Sequence, residues 1–403
     1  MTFTRRLDLT EHGGWVAATL PPATGHRLAE SRVVEARPDP HEPDRWQVRA
    51  LARVGVVRIA GVEVSIAPKL PIGRLFFLLG YAADPTRGWR TGEDLVDTGS
   101  HTGVVPALAH AFERLADRAL RQGLLQGYRT MDDALPVVRG RIRTTDQMRR
   151  RYGVPLPVEV TYDDFTTDIP ENQLLRAAAE RLLRLPGIPG SVRHRLLRLC
   201  ARLGDVTPLV PGRPLPCWRP SRLNSRYQAP CRFATLILNN SSVEHRHGDV
   251  RVDGFLLDVA KVFEDFVCAA LTQALRPYGG RCRAQARHHL DEACEILLRP
   301  DLVHYTDDGV PQAVADAKYK AEQPEGFPEA DLYQILAYCT ALGLPAGHLI
   351  YAKGNELQTR HTVRGAGVSI FQHALTLDEE PPRILTAVER LAACLANTGG
   401  DLL

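Results

Sequence analysis

The stretch from Arg299 to Lys320 constrains the fold of this chain more than any other, because its pattern indicates a β-hairpin with acids near the open end. Apolar residues lie on both sides of Asp308-Gly309, a dipeptide that tolerates the positive φ angles of a tight hairpin turn. If these two residues form the loop, Asp301 lies directly opposite Asp316. Opposed residues on one face of a sheet have Cβ atoms about 4.5–5.5 Å apart.

Lys318 adds a positive charge to this pair of acids. Side chains alternate along a strand, so Lys318 shares the face of Asp316 and Ala317 points away. Two carboxylates this close repel each other, so we expect a cation between them. Mg²⁺ binds one or two carboxylates together with waters and phosphate oxygens, and Mn²⁺ is the alternative. Such a site suits phosphodiester hydrolysis, whereas a solvated acidic hairpin remains the plain alternative for three residues considered alone.

The composition limits the classes of protein to which the chain can belong. Its 403 residues, 44% of them apolar, are enough for two or three domains. A net charge of +3 is too small to mark the whole protein as a polyanion binder, so any nucleic-acid contact must be local. No apolar run could span a bilayer, and the first residues lack the hydrophobic region of a signal peptide. Eight cysteines without a Cys-x-x-Cys pair fit a reducing cytoplasm.

Residues 1–220 are expected to form an α+β region of β-hairpins and helices, ending in a proline-rich linker at 204–220. The clearest hairpin covers residues 51–66 and turns at Ala60-Gly61. The sequence further predicts helices over residues 74–83, 104–127, from 170 onward and over 191–203, with a short strand over 137–143.

Arginine is concentrated in the segment 139–151, which holds six arginines and one acid, Asp146. Three interpretations are open. The arginines are a solvated surface, they contact phosphates, or they meet an acidic protein partner.

Residues 221–403 are expected to form a second domain with a different pattern. A helix is predicted over 256–275, strands over 283–290 and 295–299, then the hairpin, a loop over 321–328, a helix over 329–342 and a strand over 348–352. This order, αβββαβ, is the core order of the PD-(D/E)XK nucleases. Pro300-Asp301 followed by Asp316-Ala317-Lys318 resembles the signature of that superfamily. The resemblance implies an α/β nuclease domain.

Two further residues resemble functional positions of that superfamily. Gln334 and Tyr338 are four apart and share a helix face. Gln-x-x-x-Tyr after Asp-x-Lys resembles the motif of RecB-like members, which implies that Gln334 lies near the scissile phosphate. Glu264 resembles the acid of the first core helix, which orients water or completes the metal shell. A chance match on an amphipathic helix and a surface glutamate are the plain alternatives.

Several stretches, in family order, resemble the McrC family, the nuclease subunits of McrBC modification-dependent restriction systems. Family members commonly have Thr where this chain has Ala317, a residue expected to offer only its carbonyl. The matching stretches are Val56–Lys69, Arg139–Ile142, Tyr162–Leu175, Phe263–Val267, Pro300-Asp301 and Asp316–Lys320.

The resemblance implies a magnesium-dependent endonuclease that cuts double-stranded, cytosine-modified DNA. Asp301, Asp316 and the Ala317 carbonyl would hold the metal, Lys318 would position or deprotonate the attacking water, and Glu264 and Gln334 would shape the outer shell. It also implies a partner, an McrB-like AAA+ GTPase hexamer whose GTP hydrolysis the chain stimulates. The chain has no Gly-x-x-x-x-Gly-Lys-Ser/Thr loop, which agrees with this division of labour. The segment 139–151 and the hairpin 54–68 are candidates for reaching into the ring.

Two other functions stay open at this point. The chain could be a non-cleaving activator or scaffold of the ring, built on a degenerate nuclease fold. It could also be a stand-alone RecB-like nuclease that digests DNA ends without a partner. The presence of both aspartates and the lysine argues against the degenerate fold.

Overall fold

The computed structural model of the chain describes residues 5–83, 85, 103–210, 212–240, 242–243, 252–319, 329–352 and 359–397. The predicted loop at 321–328 and the last residue of the Asp316–Lys320 stretch lie outside these ranges. Within them, no helix combines the length and the hydrophobicity that crossing a bilayer requires.

The described chain alternates between strands and helices throughout its length. The strands are β1 (Arg6–Thr10), β2 (Val16–Thr19), β3 (Val34–Pro38), β4 (Arg45–Ala50), β5 (Arg53–Ile59), β6 (Val62–Ala67), β7 (Gly127–Leu135), β8 (Arg141–Ile142), β9 (Val158–Thr166), β10 (Ser242–Val243), β11 (Val252–Asp258), β12 (Arg281–Ala284), β13 (His288–His289), β14 (Leu297–Leu298), β15 (Leu302–Tyr305), β16 (Pro311–Lys318), β17 (Ala346–Tyr351), β18 (Thr359–Thr362) and β19 (Ser369–Ala374). The helices are α1 (Pro22–Glu30), α2 (Ile72–Ala83), α3 (Val104–Leu120), α4 (Thr144–Arg150), α5 (Pro170–Arg184), α6 (Gly190–Arg202), α7 (Gln228–Asn240), α8 (Val259–Ala274), α9 (Glu329–Leu342) and α10 (Pro381–Asn397).

Two compact units make up the chain, and neither is continuous in sequence. The first unit comprises Met1–Val104, His245–Val252 and Leu256–Leu403, and the second comprises Val105–Glu244 and Asp253–Phe255. This division does not follow the boundary expected between residues 220 and 221.

Aromatic packing explains why the N-terminal segment belongs to the first unit. The rings of Phe77 and Tyr81 on α2 lie 5.6 Å and 5.5 Å from the ring of Phe266 on α8. All three side chains are buried, so their apolar surface holds the two segments together. The assignment of docking to residues 1–220 and of cleavage to residues 221–403 stays a prediction.

The sheet that carries the two aspartates has the strand order β12-β15-β16-β17-β19-β18. β15 and β16 form an antiparallel hairpin, and β17 runs parallel to β16. Along the chain, α8, β12, β15, β16, α9 and β17 follow the predicted order αβββαβ, with the small hairpin β13–β14 inserted before β15. α9 spans the predicted residues, whereas α8 begins at Val259 because the Asp258 carboxylate caps it by accepting from the Lys261 amide.

Helices α8 and α9 cover opposite faces of this sheet. The ring of Tyr319 packs 6.0 Å from the ring of Phe263 on α8, whereas Lys318 Nζ donates to Gln334 Oε1 on α9. Successive strand residues point to opposite faces, so the two contacts identify the two sides. The core on the α9 side contains Val303, Tyr305, Val314, Ile335, Tyr338, Cys339, Leu344, Leu349, Val368 and Ile370.

The N-terminal hairpin β5–β6 turns at Ala60-Gly61 as predicted, with φ angles of 48° and 85° at these residues. It lies inside a sheet of order β1-β6-β5-β11, so both of its strands have outer neighbours. Its apolar side chains, including Val57 and Val64, are buried. The hairpin 54–68 is therefore a core element that exposes its turn at Ala60-Gly61, and its contact with a ring stays a prediction.

In the second unit, a three-stranded sheet of order β7-β9-β8 accompanies the helices α3, α5, α6 and α7. The strand predicted over 137–143 is reduced to Arg141–Ile142, because Gly140 has a φ of +71° and lies tightly against the backbone of β9. Strands β7 and β9 were not predicted. Both are rich in polar residues, and only Glu159 and Val160 of β9 are buried, so they lack the apolar run that marks a core strand.

A substitution at Gly347 tests the close approach of α9 to the sheet. A Cβ atom there would lie 2.6 Å from both Cys339 Sγ and Ile335 Cγ1, which are buried. We expect Gly347→Ala to lower the free energy of unfolding by about 1–3 kcal/mol, since overpacked cores strain their neighbours. The matched control is Gly73→Ala in α2, where the added Cβ meets open space. Equal effects of both substitutions in chemical denaturation would contradict the packing.

Candidate active site

The register of the hairpin β15–β16 sets the positions of the two acids. The predicted two-residue loop is wrong, because the strands are joined by the five residues Thr306–Val310. The extra residues are compensated by a bulge at Gln312, since Tyr305 pairs with Pro311 and His304 with Ala313. The predicted register is confirmed at the open end of the hairpin, where the pairs are Leu302 with Ala315, Val303 with Val314 and His304 with Ala313.

Asp301 and Asp316 approach each other closely at that open end. Asp301 Oδ2 accepts a hydrogen bond of 2.8 Å from the Ala317 amide, and the two carboxyl groups are hydrogen-bonded to each other. Burial, together with the charge of Asp316, raises the pKa of Asp301 to about 7. Burial also raises the pKa of Asp316, although the nearby Lys318 ammonium opposes the shift. The two acids therefore hold a proton more readily than exposed aspartates do, and a bound cation would favour their ionised forms.

A chain of hydrogen bonds holds the ammonium of Lys318 beside this pair. Lys318 Nζ lies 2.5 Å from Asp316 Oδ2 and donates to Gln334 Oε1 at 2.7 Å. Gln334 Nε2 donates to the Tyr338 hydroxyl at 2.7 Å, and that hydroxyl donates to the Arg299 carbonyl at 3.3 Å. The helix face that Gln334 and Tyr338 were predicted to share thus meets the hairpin β15–β16, and Gln334 holds the lysine in addition to Asp316.

Glu264 joins the site through a residue that was not predicted, Gln285. Glu264 Oε1 accepts from Lys261 Nζ at 2.7 Å and from Gln285 Nε2 at 2.5 Å. The backbone amide of Gln285 in turn donates to the backbone carbonyl of Asp301 at 3.0 Å. The negative charge of Glu264 also contributes to the raised pKa of Asp301. Gln285 follows β12 with a φ of +48°, and the pairing of β12 with β15 brings it here. No spacing in the sequence signals this position.

The oxygen donors at this site fit a hard divalent cation. Among the residues that the structure describes, no group of three or more His, Cys, Asp or Glu side chains is arranged as a metal site. Two carboxylates, from Asp301 and Asp316, remain, and the Ala317 carbonyl is the additional donor that we expected. Mg²⁺ suits such a set because it retains several waters and needs only one or two carboxylates. The raised pKa values of Asp301 and Asp316 agree with this, because a divalent cation would stabilise both ionised carboxylates.

The arginines of the segment 139–151 lie in the second unit, apart from these acids in sequence. Most of them pair with acids, since Arg143, Arg150 and Arg151 lie 3.7, 3.6 and 3.2 Å from the buried Glu159. Arg139 pairs with Asp164 at 2.8 Å. We name residues 127–166 the basic module. Because most of these guanidinium groups are already paired with acids, contact with phosphates is a poor interpretation of the arginines in this module.

Exposed apolar side chains accompany the arginines of the basic module. The rings of Tyr128 and Phe165 lie 5.1 Å apart, and these side chains are 78% and 55% exposed. Exposed apolar groups of this size mark interaction surfaces, and they favour a protein partner among the three interpretations. The others are Val137, Val138, Ile142, Met148, Tyr152, Val154 and Leu156.

The raised pKa of Asp301 predicts an unusual pH dependence of stability. Between about pH 4 and pH 7 the folded chain retains a proton that the unfolded chain has released, so the free energy of unfolding falls as pH rises. We expect Asp301→Asn to be more stable than the wild type at about pH 8, by roughly 1–3 kcal/mol, and equally stable near pH 4. Chemical denaturation in a metal chelator measures this difference. A constant difference across the pH range would contradict the buried acid pair.

Comparisons with known proteins agree with this architecture. The chain is similar to a chain in the solved assembly of Thermococcus gammatolerans McrB AAA+ hexamers with bound McrC, with 16% identity and a TM-score of 0.56 over 96% of this chain and 98% of that one. A chain of the T. gammatolerans McrBC complex matches with 17% identity and a TM-score of 0.40, over 67% of this chain and 88% of that one. At these identities the likeness concerns the fold alone. A search of curated proteins found no match.

The sequence itself matches a known family over most of its length. Residues 48–352 match the family described as McrBC 5-methylcytosine restriction system component. This range contains the hairpin with both aspartates, Lys318, Glu264 and Gln334. The chain therefore belongs to the family of McrBC 5-methylcytosine restriction system components.

Proposed function

We propose that the chain is the metal-dependent DNA endonuclease subunit of a modification-dependent, McrBC-like restriction system. The observation that carries this proposal is the buried pair Asp301–Asp316 with Lys318 bound to Asp316 at 2.5 Å. The predicted element order αβββαβ around that pair supports assignment to the PD-(D/E)XK superfamily. Eight free cysteines support a cytoplasmic location.

Asp301, Asp316 and the Ala317 carbonyl would hold Mg²⁺, or Mn²⁺ in its place. The bound ion would supply positive charge against the phosphate and lower the pKa of water. Lys318 acts at Nζ, where its ammonium form would position the attacking water and its neutral amine form would take the proton of that water. Gln334 orients this ammonium, because its Oε1 accepts from Nζ while its Nε2 is anchored on Tyr338. Attack of water on phosphorus forms one P–O bond and breaks another, so each site cuts one strand.

Glu264 shapes the surroundings of the acids without being a direct ligand in this assignment. Its carboxylate is held by Lys261 and Gln285, and Gln285 also binds the backbone of Asp301. This arrangement fixes the start of β15, and thereby the direction in which the Asp301 carboxylate points. Glu264 also adds negative charge near Asp301, which favours the binding of a cation at the site.

The partner that fits best is an McrB-like AAA+ GTPase hexamer. The similar chain from T. gammatolerans was solved with McrB AAA+ hexamers and bound McrC. By analogy, this chain would bind such a ring, stimulate its GTP hydrolysis and receive cytosine-modified double-stranded DNA from it. The basic module, with its exposed aromatic side chains and arginines, is the candidate surface for the ring. A protein partner would cover these apolar groups.

Loss of Asp316 or Lys318 should separate cleavage from partner binding. We expect Asp316→Ala and Lys318→Ala to reduce Mg²⁺-dependent cleavage by roughly 10²-fold or more, while ring binding and GTPase stimulation persist. Asp308→Ala is the matched control, since Asp308 is an exposed acid in the loop of the same hairpin. Cleavage by the purified chain with its ring partner, together with GTP turnover, measures both functions. Full cleavage by Asp316→Ala would refute the site, and loss of both functions would indicate misfolding.

Metal binding should be detectable without any substrate. We expect Mg²⁺ to raise the midpoint of thermal unfolding of the wild-type chain, because an ion that binds only the folded state stabilises it. Asp301→Asn should remove most of this shift, whereas Asp308→Ala should retain it. An equal shift in all three proteins would place the metal elsewhere.

A further inference from the structure

Four arginines lie in the short segment that leads to Asp301, namely Arg281, Arg283, Arg287 and Arg299. All four are exposed. Within the described parts of the chain, no acid pairs with any of their guanidinium groups. The arginines of the basic module differ, since most of those are paired with acids. Unpaired guanidinium groups retain their donors for an external anion.

The pairing of β12 with β15 places two of these arginines on the face of the acids. Arg281 pairs with Tyr305 and Arg283 with Val303, and paired residues share a face. Val303 and Tyr305 belong to the core under α9, which is the face of Asp316 and Lys318. Cys282 lies between the two arginines on β12, and its side chain points to the opposite face of the sheet. There its thiol is hydrogen-bonded to the side chain of Thr272 on α8. Arg281 and Arg283 therefore project on the side where a substrate phosphate would meet Lys318.

The spacing of the arginines follows from the strand geometry. β12 is the outermost strand of the sheet at this end, and no strand in the described part of the chain pairs with its outer edge. Arg283 lies opposite Val303, two residues from Asp301, and Arg281 lies two residues further. At about 3.3 Å per residue, these positions are roughly 7 Å and 13 Å from Asp301 along the strand. Arg299 precedes Asp301 by two residues on the other side.

The segment is anchored to the catalytic strand. His288, which follows Arg287, hydrogen-bonds through Nε2 to the Tyr305 hydroxyl at 2.8 Å, and their rings are stacked. The guanidinium of Arg283 lies 5.8 Å from the centre of the Tyr305 ring. These contacts fix the arginines relative to the acids, so a bound phosphate chain would have a defined path.

Acidic residues also occur nearby, and those with assigned contacts close turns. The Asp291 carboxylate accepts from the amides of Glu295 and Ile296 in the turn between β13 and β14. Asp307, in the loop of the catalytic hairpin, accepts from the Gly280 amide at 3.2 Å. Both carboxylates lie in turns and accept hydrogen bonds from backbone amides there, whereas Arg281 and Arg283 lie on the strand β12 itself.

We propose that Arg281 and Arg283, on the edge strand β12, bind DNA phosphates that flank the scissile phosphate. This inference rests on the proposed nuclease function and adds the surface that holds its substrate. Arginine suits the role, because its planar group makes paired hydrogen bonds to phosphate oxygens. The path would carry the backbone of one strand past Asp301 and Lys318 without reading its sequence.

The salt dependence of DNA binding by the full chain tests this path. The double variant R281Q/R283Q is compared with the wild type on one short duplex DNA, in a metal chelator that prevents cleavage. Each arginine that no longer neutralises a phosphate should reduce the slope of log K against log salt by about 0.9. The slope for the double variant should therefore be smaller by roughly 1.8, with binding at least about tenfold weaker at low salt. Its unfolding midpoint, measured in parallel, should stay unchanged.

The matched control is R383Q/R390Q on α10, which removes the same charge from two exposed arginines of the first unit. The proposal requires this control to keep the wild-type slope. Equal slopes for the wild type and R281Q/R283Q would overturn the path, as would equal reductions in both double variants. If the slopes are unchanged while the wild type still cleaves DNA, the path fails and the nuclease assignment survives. If the wild type neither binds nor cleaves DNA, both fail.

Discussion

The contact between the half-buried carboxyl group of Asp301 and the buried one of Asp316 is the interaction on which the rest of the site depends. Burial disfavours their charged forms, and proximity disfavours charging both at once. The structure compensates through the Ala317 amide and the Lys318 ammonium, which bind one acid each. If this pair served only to stabilise the fold, apolar residues in its place would often give an equal or higher free energy of unfolding. Their presence therefore argues for a function that needs concentrated negative charge.

The fold supports this pair from three directions. The hairpin β15–β16 fixes the register, and a slip of one residue would turn Asp316 to the opposite face. Helix α9 holds Lys318 through Gln334, and its close contact with β17 at Gly347 sets the distance. Helix α8 presents Glu264, and the N-terminal helix α2 packs on α8 through aromatic rings. The N-terminal segment thus contributes to the frame of the candidate site.

Two clusters of arginines in this chain differ in a way that the net charge does not reveal. Those of the basic module cluster around Glu159 and other acids, among exposed tyrosine, phenylalanine and valine side chains. Those of the segment 281–299 have no acidic partner in the described structure and lie beside the proposed catalytic residues. The first arrangement fits a protein surface and the second fits a phosphate backbone, because a guanidinium already bound to a carboxylate has fewer donors left for an external anion.

Local pattern determined much of this site. A Gly-containing turn and strand alternation predicted the register that brings Asp301 to Asp316, and helical spacing predicted that Gln334 and Tyr338 share a face. Period and turn chemistry are properties of a few neighbouring residues, which is why the sequence suffices for them. The length of the hairpin loop was missed because a bulge at Gln312, a tertiary adjustment, restores the register.

Only the tertiary structure decided which distant segments meet. Gln285 reaches Glu264 and Asp301 because β12 pairs with β15, and no local pattern encodes a pairing between segments that far apart. The division into two discontinuous units likewise depends on α2 packing on α8 rather than on the proline-rich stretch 204–220. The sequence by itself therefore determined the acids, their lysine and the strand that carries them. The burial that raises the pKa values of those acids is a property of the assembled core. Desolvation depends on every group that packs around the two carboxyl groups.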